Sequence, residues 1–199
     1  MTRRHLVAAG IPLLLAGAAI GHATGGAPVG GPAVVTVEAR GERTATGFVV
    51  AGGRVVTVAH AVGTGRVRVR GADGIAHQAT VLRRDGAMDL AVLLVPDLPA
   101  APRTLARGGA HVLLRRDGRR VSARAVVRRR IGARVRTGDG RLVARRPALE
   151  LVAPIRAGDS GAPLIGADGR VAGIVFARSR DRAGIAYAVD AAALSRLLR

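Results

Sequence analysis

Hydrophobic and polar residues alternate in short runs along most of this 199-residue chain, from about residue 33 onward. Runs of this length with a period of two, separated by Gly, Pro and Asp, are typical of half-buried β-strands. The pattern predicts six strands before a proline-bearing segment at residues 96–102, over 34–39, 47–51, 54–58, 67–70, 77–82 and 90–95. It predicts six more after that segment, over 111–114, 121–127, 142–144, 149–153, 171–176 and 185–189. We therefore expect an all-β fold.

Both ends of the chain depart from the strand pattern. Arg3 and Arg4 precede an apolar run with small residues after it, which is typical of a secretory leader. We expect residues 1–23 to be a signal peptide or an uncleaved N-terminal anchor, and residues 24–32 to be a Gly/Pro linker. At the other end, Asp190 is a suitable cap for a short helix over 190–199, which we expect to dock on the second group of strands.

Three residue types that together support acyl transfer occur in the order His60, Asp89, Ser160. A serine hydroxyl is a weak nucleophile until an imidazole takes its proton, and a carboxylate orients that imidazole and stabilises its protonated form. Before Ser160, Gly158 lets the backbone bend so that its own N–H and that of Ser160 can form an oxyanion hole. Each motif alone is also common in buried strands or polar turns, whereas the ordered combination predicts catalysis.

The segments around these residues resemble those of the trypsin-like serine proteases. Residues 46–60 are similar to the first hairpin and histidine strand, 88–93 to the aspartate strand, and 157–164 to the serine loop of that family. Residues 169–176 and 184–189 are similar to the walls of its specificity pocket. Within the family the similarity is strongest to the Htr-type branch, and there to the actinobacterial membrane-anchored acid-resistance proteases.

The resemblance implies a chymotrypsin-like fold, in which two six-stranded antiparallel β-barrels are followed by the short C-terminal helix. The protease domain would occupy residues 33–190, with the first barrel at 33–98 and the second at 105–190. His60 and Asp89 would then belong to the first barrel and Ser160 to the second. The active site is therefore expected in the cleft between the barrels.

The same resemblance assigns a substrate pocket, formed by Pro154, Ile155, Ala177, Arg178 and Ala186. Pro154 occupies the position where family members that prefer basic residues carry an aspartate. Because this pocket holds no acidic group, it predicts a small or medium apolar residue before the scissile bond. Arg178 at the rim adds an expected preference for acidic residues nearby.

Three residues differ from the pattern of the family or of its digestive members. Ala162 replaces a glycine, a change that fits if the local backbone keeps a negative φ. Phe176 replaces a serine that supports the catalytic aspartate in digestive relatives, so that support must come from another residue. Asp159 corresponds to the aspartate that captures a new N-terminus in zymogen activation. No activation sequence follows the linker, and we expect local backbone N–H groups or a neighbouring arginine to satisfy Asp159 without cleavage.

Composition excludes some kinds of functional site and indicates others. The chain has no cysteine, which excludes disulfides and thiolate metal sites, and its histidines have no carboxylate cluster around them. We expect neither a metal nor a cofactor. All 32 basic residues are arginine and the net charge is +19, with thirteen arginines and two aspartates between Arg115 and Arg146. This stretch predicts either a solvated strand face or a site for an anionic envelope polymer or membrane surface. Nucleic acid is disfavoured because aromatic residues for base stacking are scarce.

Together these features predict an exported serine endopeptidase that acts on protein or peptide substrates through an acyl-enzyme. We expect it to be secreted or held in the cell envelope, with the N-terminal segment as a potential anchor. The alternative from another functional class is a catalytically silent protein of the same fold that binds anionic cell-envelope polymers through its arginine-rich surface. A third hypothesis is an esterase or other acyl transferase built on the same triad.

Overall fold

The computed structural model describes residues 31–39, 43–63, 65–98, 110–136 and 142–199. The predicted leader and all but the last two residues of the predicted linker lie outside these ranges. Within them, the structure has no helix with the length and apolarity needed to cross a membrane.

In the described ranges, twelve strands form two closed antiparallel barrels, which confirms the predicted all-β double-barrel fold. The first barrel has the order β1-β2-β3-β6-β5-β4 and the second the order β10-β11-β12-β9-β8-β7. The strands of the first barrel are β1 (Val34–Ala39), β2 (Arg43–Val50), β3 (Arg54–Val58), β4 (Val67–Arg70), β5 (Ala76–Asp85) and β6 (Leu90–Leu94). Those of the second are β7 (Ala110–Arg116), β8 (Arg119–Arg136), β9 (Leu142–Val152), β10 (Pro163–Ile165), β11 (Val171–Arg178) and β12 (Ile185–Asp190). The helices among the described residues are α1 (Ala59–Val62) and α2 (Ala191–Leu198).

The strands of the second barrel differ from the expected set. The two strands expected at 142–144 and 149–153 are one continuous strand, β9, which pairs with the longer strand β8. Arg145, Arg146 and Pro147 interrupt the apolar alternation, but Pro147 lies opposite Gly132 in a two-stranded ribbon. A proline is tolerated there because a ribbon edge does not require its missing N–H. The sixth strand is β10, a three-residue strand that begins with proline and is too short to produce a periodic signal.

Apolar side chains from alternate strand positions fill both barrels. In the first barrel Phe48 and Leu93 are completely buried, and in the second Leu151 and Leu164 are completely buried. Burial of each such side chain stabilises the fold by roughly 1.5–3 kcal/mol. The barrels are therefore rigid supports for the loops between their strands.

Helix α2 begins as predicted, because the Asp190 carboxylate accepts a hydrogen bond from Ala192 N at 3.0 Å. The helix packs against β11 and β12 of the second barrel, but it also contacts β6 of the first. The Arg83 guanidinium of β5 donates to the carbonyl groups of Leu197 and Arg199 at the end of the helix. The helix thus docks on the second barrel, as the sequence predicted, and also contacts the first.

Candidate active site

The pairing of β3 with β6 brings His60 beside Asp89. Val58 lies opposite Leu90 in this antiparallel pair, so the residues that follow Val58 meet the residue that precedes Leu90. Ala59 N donates to the Asp89 carbonyl at 3.0 Å, and His60 is the next residue, within the single-turn helix α1. Two residues that lie 29 positions apart in sequence therefore meet because of strand register.

Both oxygens of the Asp89 carboxylate contact His60. The backbone N–H of His60 donates to Oδ1 at 2.9 Å, and Nδ1 lies 2.8 Å from Oδ2. The Asp89 side chain is 12% exposed, whereas the His60 side chain is 52% exposed. This geometry holds the imidazole with Nδ1 toward the carboxylate and leaves the remainder of the ring accessible to a reactant.

The loop that carries Ser160 joins the two barrels through backbone hydrogen bonds. The Ser160 carbonyl accepts from Thr46 N of the first barrel at 2.8 Å, and Gly161 N donates to Val175 O of the second at 2.7 Å. The Ser160 hydroxyl donates to the Phe176 carbonyl at 3.4 Å, and no hydrogen bond joins it to His60 within the part of the chain that is described. Catalytic hydrogen bonds are often long or absent before substrate binds.

The glycines on either side of Ser160 adopt conformations that other residues avoid. Gly158 has φ +88° and Gly161 has φ +90°. A Cβ on Gly161 would lie 1.9 Å from the Thr46 carbonyl oxygen, so only glycine fits this contact between the barrels. Among the described residues, neither Gly158 N nor Ser160 N donates to another protein group, and both amides are free to bind an oxyanion.

The buried Asp159 has both kinds of partner that the sequence predicted, an arginine side chain and a local backbone N–H group. Arg116 donates through Nε to Oδ1 at 3.1 Å and through Nη2 to Oδ2 at 2.5 Å, and Arg156 N donates to Oδ2 at 2.7 Å. The hydrogen bond that Arg116 donates to Asp159 raises the pKa of the Arg116 guanidinium above its ordinary value. Arg116 also donates to the Pro154 carbonyl at 2.9 Å, so it holds the serine loop at two points.

Arg146, which sequence reasoning did not select, lies behind Asp89. Its Nη1 is 3.3 Å from Asp89 Oδ2, and its guanidinium carbon lies 5.0 Å from the centre of the Phe176 ring. The residue is only 4% exposed. The period-two alternation contained a weak signal, because Arg146 shares its strand face with Ala148 and Glu150, which are both buried.

The five predicted pocket residues lie at one end of the second barrel. Arg178 of β11 is opposite Ala186 of β12, Ala177 is its neighbour on β11, and Pro154 and Ile155 follow β9, the strand that pairs with β12. Ala186 is buried, Ile155 and Ala177 are partly buried, and Pro154 and Arg178 are exposed.

A separate cavity of about 460 Å³ borders the serine loop. None of the predicted pocket residues lines it. It lies between the loop, the first barrel and the turn from β7 to β8, and its walls include Glu38, Arg70, Arg115, Arg156 and Gly158.

A buried carboxylate stabilises the strands beside the predicted pocket. Glu150 is 1% exposed and accepts from Arg182 Nη2 at 2.7 Å and from Arg129 Nε at 3.3 Å. Hydrogen bonding from Arg182, supported by Arg129, lowers the pKa of Glu150 despite the opposing effect of burial. Arg182 also donates to the Tyr187 hydroxyl at 2.8 Å, which ties the β11–β12 turn to the sheet. Within the described ranges, no group of three or more His, Asp or Glu side chains is arranged to hold a metal ion.

Comparison with known proteins assigns the family. The trypsin-like peptidase domain matches residues 45–174. The chain belongs to this family. By sequence, this trypsin-like peptidase is 35% identical over 156 residues to the serine protease Rv3671c of Mycobacterium tuberculosis. That match covers 73% of this chain and 39% of the relative, so the chain spans about two fifths of the length of the curated relatives it matches.

Solved structures give the same assignment. The active form of the Rv3671c protease from M. tuberculosis is similar with a TM-score of 0.71 and 31% identity, over 84% of this chain and 79% of that one. The serine endoprotease of Yersinia pestis is similar with a TM-score of 0.63 and 21% identity, over 85% of this chain and 62% of that one. The likeness to the Yersinia protein concerns the fold alone.

Proposed function

We propose that this trypsin-like peptidase is a serine endopeptidase, with Ser160 as nucleophile, His60 as general base and Asp89 as the residue that orients His60. The observation that carries the proposal is the double contact between Asp89 and His60, at 2.9 Å and 2.8 Å, together with a serine loop bonded to both barrels. This contact fixes the tautomer in which the other ring nitrogen is an acceptor for the serine proton.

The reaction would proceed in two steps. Ser160 Oγ attacks the peptide carbonyl while His60 takes its proton, and the N–H groups of Gly158 and Ser160 bind the oxyanion. Protonated His60 then gives its proton to the leaving amine, which leaves an ester on Ser160. Water, deprotonated by His60, hydrolyses that ester and restores the serine hydroxyl. Removal of one oxyanion donor typically lowers turnover by roughly 10²–10³.

The test is cleavage of casein and of a library of internally quenched peptides by the purified protein, with Ser160→Ala as the inactive variant. We expect cleavage by the wild type and none by Ser160→Ala at equal concentration and equal far-ultraviolet circular dichroism. A folded wild type that hydrolyses small esters and no peptides would instead support the esterase hypothesis. Equal cleavage by both proteins would identify a contaminating protease and contradict the proposal.

Specificity follows from the pocket of Pro154, Ile155, Ala177, Arg178 and Ala186. With no acidic side chain among these residues, a cationic substrate group would be desolvated without a partner. We expect peptides with alanine or valine before the scissile bond to have a kcat/KM at least tenfold above matched peptides with arginine. The reverse order would contradict the assignment of this pocket.

We also propose that the protein is exported by its N-terminal segment, residues 1–23, and belongs to the Htr-type, membrane-anchored acid-resistance branch. The similarity to the M. tuberculosis protease and the apolar leader support this assignment. Fractionation of cells that express the full chain with a C-terminal tag tests it. Recovery of all tagged protein from the cytoplasm would contradict it.

The second candidate function, binding of an anionic envelope polymer or membrane surface, has one specific observation in its favour. Strand β8 exposes the side chains of Arg119, Arg124 and Arg134. Its neighbouring arginines are partly neutralised, because Arg128 and Arg129 pair with Glu150. Sedimentation with anionic vesicles at low and high salt, compared between the wild type and Ser160→Ala, tests this function. Salt-sensitive binding without any proteolysis would favour it over the endopeptidase.

A further inference from the structure

Arg146 is a buried cation in a position where a neutral side chain would pack at lower cost. It lies on β9, its side chain is 4% exposed, and its charged end is enclosed between the Asp89 carboxylate and the Phe176 ring. Removing a guanidinium from water costs several kcal/mol unless ion pairing and hydrogen bonds compensate for it. Hydrophobic residues of similar volume often replace such buried charges without loss of stability. Its presence therefore requires an explanation beyond packing.

The contacts of Arg146 are directed at Asp89. Nη1 lies 3.3 Å from Asp89 Oδ2, and neither Nε nor Nη1 has a hydrogen-bond partner within the described residues. The guanidinium is therefore held by two electrostatic contacts, the carboxylate at one side and the aromatic face at the other. A cation held in this way exerts its effect mainly on the charge and orientation of the carboxylate.

The Asp89 carboxylate needs such a partner because, among the described residues, its other hydrogen bonds come from a single residue. Both remaining side-chain interactions of Asp89 are made by His60, the group that it must orient. Its backbone also has φ +58°, a region that residues other than glycine seldom occupy. Phe176 occupies the position where digestive relatives carry a supporting serine, and a phenyl ring cannot donate that hydrogen bond. Arg146 lies across this ring and reaches the same carboxylate.

We infer that Arg146 is a positioning residue, which fixes the Asp89 carboxylate from behind so that Asp89 can hold His60. It replaces the hydroxyl support that Phe176 removes, and the Phe176 ring in turn positions the guanidinium. This inference rests on the proposed endopeptidase function, because it assigns a partner to the same triad.

The experiment measures the second-order rate constant for labelling of Ser160 by a fluorophosphonate, together with kcat and KM for a peptide. We compare the wild type with Arg146→Met and Arg146→Lys, and use Arg145→Met as a matched control at the exposed adjacent position. We expect Arg146→Met to label roughly 10- to 100-fold more slowly with KM unchanged, because an imidazole displaced by a fraction of an ångström loses much of its effect. Arg146→Lys should have an intermediate rate, and Arg145→Met should stay within about twofold of the wild type.

A second pair of variants separates positioning from general packing. In an Asp89→Asn background the carboxylate is absent, so Arg146→Met should have no further effect on labelling. If Arg146→Met slows labelling as much in the Asp89→Asn background as it does in the wild type, the inference is overturned, because Arg146 would then act through a group other than Asp89. The low-field proton resonance of His60 Nδ1–H gives an independent signal, and we expect Arg146→Met to shift it while Arg145→Met does not.

The outcomes also distinguish this inference from the function on which it rests. A folded wild type that does not label would overturn the proposed function and this inference together. A wild type that labels, with Arg146→Met labelling equally fast, would overturn only the positioning role. If Arg146→Met does not fold, Arg146→Lys carries the test: labelling at least threefold slower than the wild type supports the inference, and an equal rate overturns it.

Discussion

Replacement of Arg116 by methionine tests how the serine loop is held. The substitution removes both hydrogen bonds to the Asp159 carboxylate and the one to the Pro154 carbonyl. Asp159, whose side chain is 2% exposed, would keep the backbone N–H of Arg156 as its remaining donor. Loss of one partner from a buried ion pair typically costs 3–5 kcal/mol. Because the Arg116 side chain is 21% exposed, we expect the low end of that range, about 3 kcal/mol.

Urea unfolding followed by circular dichroism measures this loss. With a denaturant slope of about 2 kcal/mol per molar, the midpoint should fall by about 1.5 M. Combining Arg116→Met with Asp159→Asn removes the unpaired charge, so the double variant should recover at least half of the lost stability. A midpoint change below about 0.5 M for Arg116→Met, or a double variant no more stable than the single one, would refute this account of the loop.

Two further predictions concern backbone fit and pH. Gly161→Ala should abolish stable folding or peptidase activity because its Cβ would lie 1.9 Å from Thr46 O. The control is Gly132→Ala, whose Cβ would meet nothing within 4 Å and which should leave thermal unfolding unchanged. A folded and active Gly161→Ala variant would contradict the close approach of the barrels. The hydrogen bond from Arg182 is the main cause that lowers the pKa of Glu150 from its ordinary value of 4.5. The ionised carboxylate therefore stabilises the fold fully above pH 4.5, and this stabilisation is lost as the pH falls through the lowered pKa. Glu150→Gln should therefore reduce the urea midpoint at pH 7 and progressively less below about pH 4.5, and a pH-independent difference would contradict this.

Local alternation predicted an all-β fold because most strands bury one face, whereas the two-barrel arrangement came from the resemblance to the trypsin-like serine proteases. The prediction was wrong in detail at β9, where Arg146 takes an inward position that an apolar residue usually fills and Pro147 follows it. The short β10 was missed because three residues cannot establish a period. Both differences lie close to the candidate site, where local rules are most often broken for function.

The candidate triad was accessible from sequence because His60, Asp89 and Ser160 lie in distinctive local motifs. The residues that support the triad and the serine loop could not be predicted in this way, because they are distant in sequence. Arg116 lies 43 residues from Asp159, and Arg146 lies 57 residues from Asp89. With so many arginines in this stretch, composition alone does not distinguish the buried ones from those on the surface. The identity of these partners depends on strand register, which only the three-dimensional structure provides.

The central claim is that Ser160 is a nucleophile activated by His60. Intact-protein and peptide mass spectrometry after treatment with a fluorophosphonate tests it most directly. We expect one phosphonyl group per molecule, attached to Ser160, and strongly reduced labelling in a folded His60→Ala variant. A folded wild type that acquires no adduct, or an adduct on Ser160 that forms equally fast in His60→Ala, would contradict the claim.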